Sequence, residues 1–203
     1  MDSTERIVNC LAKAAVATHL PVLSDTAYQH IIGLGLREAI RELYPHIDED
    51  TVETMRQHYA NYFMAAENTP SPLFEGALEV LTALRASNVK TAVATGKSRV
   101  GLNRVWGNTG LGQYFDASRC ADETISKPHP RMLEEILAEL GVESSRALMI
   151  GDTSFDLEMA ANIGMPSVGV SYGAHDEATL RQYQPITIID RISELLPLTL
   201  EQR

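Results

Sequence analysis

The stretch RALMIGDTSFD, residues 146–156, decides the fold class of this chain. It begins as an apolar run, Arg146–Ile150, turns polar at Gly151-Asp152, and continues into a helical pattern over Phe155–Ile163. A short apolar run, a glycine-containing turn and a helix in this order are typical of a parallel-sheet unit. Ligands of open parallel sheets bind beyond the carboxyl ends of the strands, so the acid after this run is a candidate site residue.

The same alternation of strand and helix runs through the chain from Phe74 onward. Further strands are predicted at Val89–Thr95, Ala117–Cys120, Ser167–Val170 and Ile186–Ile189, and further helices at Gly76–Ser87, Val100–Thr109 and Pro128–Leu140. Alternation of this kind predicts parallel strands with helices on both faces. We therefore expect an α/β, Rossmann-like three-layer α/β/α fold.

The residues before this part have a purely helical pattern. Predicted helices cover Glu5–His19, Asp25–Ile32, Leu36–Tyr44 and Asp50–Ala66. The segment Asn68–Pro72 then places two prolines within three residues, which is typical of a linker or hinge. We predict a small all-α domain at residues 5–70 and an α/β core formed by residues 1–4 and 71–203.

Composition excludes several classes of protein. The 203 residues contain 27 acids and 17 bases, a formal net charge of −10, whereas nucleic-acid binding needs clustered Lys and Arg. Cys10 and Cys120 are too few and too far apart for a disulfide framework. The chain shows neither a signal peptide nor a membrane-spanning run. We expect a cytoplasmic protein without nucleic-acid or membrane partners.

Three polar clusters occupy predicted strand ends. In the first, Thr95-Gly96-Lys97-Ser98, a hydroxyl and a glycine precede a helix N-terminus, which is suited to cradling a phosphate. The alternative is an ordinary polar turn. In the second, Ser126-Lys127-Pro128, the lysine stands just ahead of a helix, where its charge opposes the helix dipole. That placement suggests a nearby anion; the alternative is a solvated surface lysine.

The third cluster contains two acids, Asp152 and Asp156, at a strand end and a helix start. At this spacing both carboxylates can converge on one point. Acidic oxygen sites with open positions suit Mg²⁺, which keeps waters and bridges to phosphate. The alternative is that Asp152 only caps the following helix.

In order and spacing these clusters resemble the motifs of the haloacid dehalogenase-like hydrolase superfamily, in its phosphoglycolate-phosphatase-like branch. Thr95 matches a strand-terminal Ser/Thr that hydrogen-bonds the transferring phosphoryl group, and Gly96 follows it. Lys127 matches a lysine that neutralises charge on nucleophile and phosphate, and Asp152 with Asp156 matches the acids that hold Mg²⁺. Residues 5–70 look like the inserted α-helical cap of the family.

The resemblance implies an enzyme that hydrolyses a small phosphorylated metabolite with Mg²⁺. An aspartate would attack phosphorus to give an aspartyl-phosphate, and a second aspartate would act as general acid and base. The cap segment Gly33–Glu38 resembles the loop that screens substrates. Within it Arg37 is our candidate for contacting a distal anion of the substrate, against the alternative of an ordinary surface charge.

The chain departs from the family in one motif. Asp-x-Asp-Gly-Thr, which carries both aspartates on the central strand, occurs nowhere in the 203 residues. We expect it to precede Met1, so that the chain as given is inactive. The alternatives are a non-catalytic phosphate-binding pseudoenzyme and a dehalogenase-type hydrolase that needs no metal.

A parallel sheet without its central strand has two unpaired backbone edges beside the core. We therefore expect this polypeptide to take a strand from another copy, as a homodimer or by strand exchange, to close its sheet differently, or to be unstable alone.

Overall fold

A computed structural model describes residues 2–66 and 72–200, so the predicted linker at residues 68–71 lies outside the described part. The first part is helical: α1 (Thr4–Ala17), α2 (Asp25–His30), α3 (Leu36–Leu43) and α4 (Glu49–Ala65). Side-chain oxygens at Ser24 and Asp48 accept backbone N–H bonds and so begin α2 and α4. No helix in the described ranges is long and apolar enough to cross a membrane.

The four helices share an apolar core of their own. Its most buried members are Leu11, Tyr28, Ile40 and Met55, each with 0% exposure. All the residues of this cluster and those packed against it fall between positions 7 and 62. The helical part therefore has a hydrophobic core built from its own residues.

The second part alternates helices and strands. In chain order the elements are α5 (Ala77–Ala86), β1 (Ala92–Thr95), α6 (Arg99–Thr109), β2 (Ala117–Cys120), α7 (Arg131–Leu140), β3 (Met149–Gly151), α8 (Ser154–Ala161), β4 (Ser167–Val170), α9 (Glu177–Arg181), β5 (Thr187–Ile189) and α10 (Leu195–Leu200). All strand pairs are parallel. The predicted α/β class with a parallel sheet is confirmed.

Helices cover both faces of the sheet. Val168, Val170 and Ile150 pack with residues of α5 and α10, among them Val80 and Leu195. Met149, the neighbour of Ile150, points the other way and packs with Met132 of α7 and Met159 of α8. This division follows from the period of two in a strand, which sends successive side chains to opposite faces.

The five strands form two sheets rather than one. β1 pairs with β2 from Ala92↔Ala117 to Thr95↔Cys120, and β3, β4 and β5 form the second sheet in that order. A cavity of about 1870 Å³ is lined by both Val93 of β1 and Ile150 of β3. In the described residues β1 is thus paired with β2, and β3 is paired with β4. The cavity borders both β1 and β3.

Element boundaries differ from prediction at two places that matter for the site. The strand predicted at Val89–Thr95 is only Ala92–Thr95, because the ladder with β2 starts at Ala92. The helix predicted from Pro128 begins at Arg131, because the His129 N–H bonds back to the Ser126 carbonyl in a separate turn. The second difference places Lys127 four residues before the helix instead of directly ahead of it.

Substitution of Met55 tests whether the helical core contributes to folding. We expect Met55→Ala to lower the free energy of unfolding by about 2–5 kcal/mol, because the cavity left behind closes only partly. Met64→Ala on the same helix is the matched control, since Met64 is 45% exposed and should change stability by less than about 0.5 kcal/mol. Urea unfolding measures both, and equal losses would contradict a core centred on Met55.

Candidate active site

The structure brings the three predicted polar clusters to one edge of the sheet. Thr95 is the last residue of β1, Lys127 lies in the loop after β2, and Asp152 directly follows β3. Thr95, Lys127, Asp152 and Asp156 all line the same cavity of about 1870 Å³. Residues from three different βα connections can therefore act on one bound group.

A buried ion pair joins the second cluster to the third. Lys127 Nζ donates to Asp156 Oδ1 at 2.6 Å, and both side chains are 6% exposed. Asp156 Oδ2 accepts from the Thr153 N–H at 3.2 Å and the Thr153 hydroxyl at 2.8 Å. Asp156 thus has both oxygens occupied, while the solvated-lysine alternative for Lys127 is wrong.

The start of α8 explains why Asp152 is free of a capping role. The N-cap residue is Thr153, which forms a reciprocal capping box with Asp156. The alternative that Asp152 caps this helix is therefore wrong. Its carboxylate instead faces the loop after β4, where the Ala174 N–H donates to Oδ2 at 3.0 Å.

Burial and charge change the acidity of Asp152. Desolvation raises the pKa of Asp152, and the neighbouring Asp156 charge raises it further. Gly173 allows this crowding: a Cβ on Gly173 would lie 2.0 Å from the Asp152 Cβ. A carboxylate desolvated to this degree gains from a nearby cation, which is the electrostatic condition for a metal ligand.

The donor set fits Mg²⁺ through one direct carboxylate. Among the described residues, the Asp152 carboxylate accepts one hydrogen bond, whereas the Asp156 carboxylate accepts three. No group of three or more His, Cys, Asp or Glu side chains in the described ranges is arranged to hold a metal. Mg²⁺ commonly takes one or two carboxylates and completes its shell with waters and phosphate oxygens, and the carboxylate of Asp152 has the chemistry of such a ligand.

The turn after β1 has the form of a phosphate cradle. Thr95 Oγ1 accepts from the Lys97 N–H at 3.1 Å, which leaves the hydroxyl hydrogen to donate to a phosphoryl oxygen. Ser98 then caps α6 by accepting from the Gly101 N–H. Gly96 is required, since a Cβ there would lie 2.3 Å from the Leu34 carbonyl oxygen.

That contact shows that the helical part closes over the cradle. The Gly35 N–H donates to the buried Ser126 hydroxyl at 2.7 Å, and residues 33–35 line the cavity. Ser126 adjoins Lys127, so the covering segment bonds beside the lysine. The sequence pattern assigned no role to the Ser126 hydroxyl, because its partner is distant in the chain.

His175 is a second site residue that the sequence left without a role. It is 6% exposed, accepts from the Ser154 N–H and contacts the His30 carbonyl, each at 3.0 Å. Burial lowers the pKa of His175. Its position after β4 already indicated the functional edge, but its contact with the helical part needed the tertiary structure.

Arg37 and His129 each have a contact of their own within the described residues. Arg37 is half-exposed and forms an ion pair with Glu53 of α4 at 2.6 Å, so its role toward a substrate anion stays a prediction. Contacts with Arg56, then Gln57, are the main causes that lower the pKa of Glu53 to about 2. His129 is exposed, and its Nδ1 accepts from the Arg131 N–H.

Breaking the buried ion pair should be far costlier than breaking a surface pair. We expect Lys127→Met to lower the free energy of unfolding by about 3–5 kcal/mol, because Asp156 is left buried and charged. Arg181→Met removes an exposed pair with Glu177 and should cost no more than about 1 kcal/mol.

A double variant separates charge from packing in that experiment. Lys127→Met with Asp156→Asn keeps an amide to bond Thr153 and removes the unpaired charge, so we expect a smaller loss than for Lys127→Met alone. Urea unfolding measures all three proteins. A double variant less stable than Lys127→Met would contradict the assignment of the loss to an uncompensated carboxylate.

Comparison with known proteins agrees with this geometry. A model of the haloacid dehalogenase-like hydrolase family matches residues 1–170. The chain is 31% identical over 200 residues to the probable phosphatase IndB of Dickeya dadantii, covering 97% of this chain and 87% of that protein. It is 29% identical over 203 residues to the phosphoglycolate phosphatase of Pectobacterium atrosepticum, covering 98% and 87%.

A solved structure has a similar fold. A Bacteroides fragilis protein assigned to the haloacid dehalogenase-like hydrolases matches with a TM-score of 0.87 and 26% identity, over 96% of this chain and 93% of that one. The family model spans well over half of the residues, including Thr95, Lys127, Asp152 and Asp156. This chain therefore belongs to the haloacid dehalogenase-like hydrolases.

Proposed function

We propose that this chain carries the phosphate- and metal-binding residues of a Mg²⁺-dependent phosphoric monoester hydrolase. Its substrate would be a small, phosphoglycolate-like phosphorylated metabolite, cleaved through an aspartyl-phosphate in the cytoplasm. The observation that carries the proposal is the buried Lys127 ammonium, which lines one cavity together with Thr95 and Asp152. Relatives named as phosphatases support the reaction class.

Each residue has a distinct part in this proposal. The Thr95 hydroxyl and the backbone at Gly96 hold phosphoryl oxygens, and the Lys127 ammonium offsets their charge. Asp152 binds Mg²⁺, which supplies further positive charge to the phosphoryl group when bound. Asp156 holds the Lys127 ammonium in place through the 2.6 Å ion pair. Fixed cations of this kind account for most of the rate in phosphoryl transfer.

The nucleophile is proposed to come from a strand outside the described residues. Asp-x-Asp-Gly-Thr does not occur in the chain, and β1 and β3 both border the cavity with their carboxyl ends at the candidate site. A parallel strand placed beside them would bring an aspartate to this edge. An upstream segment or a second copy of the protein would supply it, and the 203 residues alone would be inactive.

Two features favour a metal-dependent reaction on a small substrate. Lys127 with the paired acids Asp152 and Asp156 suits a site that binds phosphate and a cation together, which argues against the metal-independent dehalogenase alternative. Residues 33–35 cover the cradle closely enough to touch Gly96. A covered site of this kind favours a small metabolite over a macromolecule.

Turnover of p-nitrophenyl phosphate tests the reaction. We expect no turnover by the 203 residues alone, and Mg²⁺-dependent turnover by a chain extended upstream with an Asp-x-Asp-Gly-Thr strand. In the extended chain, Lys127→Met and Thr95→Val should each lower kcat about 10²–10³-fold, because each removes a group that stabilises the transition state. Lys13→Met, an exposed change on α1, is the matched control. A folded extended chain that is inactive on phosphomonoesters would favour the pseudoenzyme alternative.

Calorimetric titration with Mg²⁺ tests the metal ligand separately from activity. We expect Asp152→Asn to weaken Mg²⁺ binding at least about tenfold, because a neutral amide replaces the direct carboxylate ligand. Asp25→Asn, in the exposed first turn of α2, should leave the affinity unchanged. Equal affinities for Asp152→Asn and the unaltered chain would contradict the metal assignment.

A further inference from the structure

Three consecutive residues of the loop after β4 hold Asp152. The Gly173 Cα packs against its side chain, at a point where a Cβ would lie 2.0 Å from the Asp152 Cβ. The Ala174 N–H donates to Asp152 Oδ2 at 3.0 Å, and the His175 N–H donates to the Asp152 carbonyl at 3.0 Å. The loop that carries His175 therefore contacts both the side chain and the backbone of Asp152.

The two nitrogens of the His175 imidazole make hydrogen bonds to two other parts of the fold. Nδ1 accepts from the Ser154 N–H at the start of α8, at 3.0 Å. Because Nδ1 is an acceptor, the neutral ring carries its proton on Nε2. Nε2 then donates to the His30 carbonyl at 3.0 Å, and His30 is the last residue of α2 in the helical cap.

Ring contacts fix the same side chain from the sides. The His30 and His175 rings stack with centroids 5.4 Å apart and planes 9° apart. Phe155 meets His175 edge-on at 5.5 Å and His30 at 6.2 Å. With both nitrogens bonded and 6% of its surface exposed, His175 has no second position that keeps these contacts.

His30 is also where the covering segment begins. Five residues later the Gly35 N–H reaches the Ser126 hydroxyl at 2.7 Å, and between them the Leu34 carbonyl lies against Gly96. The segment Ile31–Gly35 is thus anchored at one end by His175 and at the other by Ser126. One anchor touches the Asp152 turn and the other adjoins Lys127.

We propose that His175 is a positioning residue that couples the closure of segment Ile31–Gly35 over the cradle to the placement of the Asp152 carboxylate. The inference rests on the proposed function, in which Asp152 is the metal ligand. Since such coupling is reciprocal, metal at Asp152 favours the closed cap, and a closed cap strengthens metal binding.

Substitution of His175 by Asn or by Gln tests separately the two hydrogen bonds that the imidazole makes. Asn places a side-chain oxygen two bonds from Cβ, as Nδ1 is, so His175→Asn can accept from Ser154 but falls short of His30. Gln places its amide nitrogen three bonds from Cβ, as Nε2 is, so His175→Gln can still donate to the His30 carbonyl. His175→Ala loses both bonds, and His46→Asn, exposed between α3 and α4, is the control.

The measurement is the exchange rate of the Gly35 amide hydrogen in the full 203-residue chain, with and without Mn²⁺ as a probe for the Mg²⁺ site. We expect Mn²⁺ to slow this exchange about tenfold in the unaltered chain and in His46→Asn. The ratio of the Gly35 exchange rate without Mn²⁺ to the rate with Mn²⁺ should fall to about one in His175→Asn and His175→Ala. It should recover in His175→Gln. Comparing each variant with itself removes general losses of stability, which thermal unfolding records separately.

The reverse direction of the coupling is tested away from His175. Gly96→Ala places a methyl group against the Leu34 carbonyl and so holds the segment open without touching Asp152. Reciprocity predicts weaker Mn²⁺ binding by this variant, by up to about tenfold. This second variant keeps the proposal falsifiable if His175→Asn does not fold.

The outcomes distinguish the inference from the function on which it rests. An unaltered chain that does not bind Mn²⁺ overturns both the metal assignment and the coupling. Mn²⁺ binding with no change in Gly35 exchange overturns the coupling alone. So does a ratio in His175→Asn equal to that of the unaltered chain, a His175→Gln indistinguishable from His175→Ala, or Mn²⁺ affinity unchanged in Gly96→Ala.

Discussion

The buried ion pair between Lys127 and Asp156 is the constraint on which the site depends. Both side chains are 6% exposed, so each charge is desolvated and the two charges compensate each other. Asp156 also accepts two hydrogen bonds from Thr153, the residue that follows Asp152. One carboxylate therefore fixes both the ammonium after β2 and the turn after β3. This charged contact adds to the apolar packing of Met132, Met149 and Met159 between the same parts of the fold.

The environments of Asp152 and Asp156 give these two acids different capacities. Asp156 accepts from an ammonium, a hydroxyl and a backbone N–H, so both of its oxygens have partners, and its role as a metal ligand stays a prediction. Asp152 receives one N–H bond on its carboxylate and lies beside the charge of Asp156, so burial and repulsion raise its pKa. Two carboxylates placed close together with separated roles are a common outcome of such differences in environment.

The sequence predicts the elements of the fold well because each depends on local pattern. The apolar run before Gly151 and the polar residues after it are sufficient to locate a strand end and a candidate ligand. Contacts between segments that are distant in the chain are not predicted by local pattern. Nothing near Arg37 in the sequence indicates that α4 would bring Glu53 to within 2.6 Å. The position of His175 after β4 predicts its place at the edge of the sheet where the candidate site lies. Its bond to His30 spans 145 residues and depends on how the helical part packs against the α/β part.

The way the helical part is attached to the α/β part would suit the proposed response to ligands. Its apolar cluster draws on residues between positions 7 and 62 only, separate from the two clusters around the sheet. At the candidate site it meets the α/β part through two hydrogen bonds, from Gly35 to Ser126 and from His175 to His30, and through the ring contacts of His30 with His175 and Phe155. Each such bond contributes about 0.5–1.5 kcal/mol net, far less than an apolar core does. The free energy needed to break contacts of this size is a few kcal/mol. Ligand binding can shift a conformational equilibrium by a free energy of the same size.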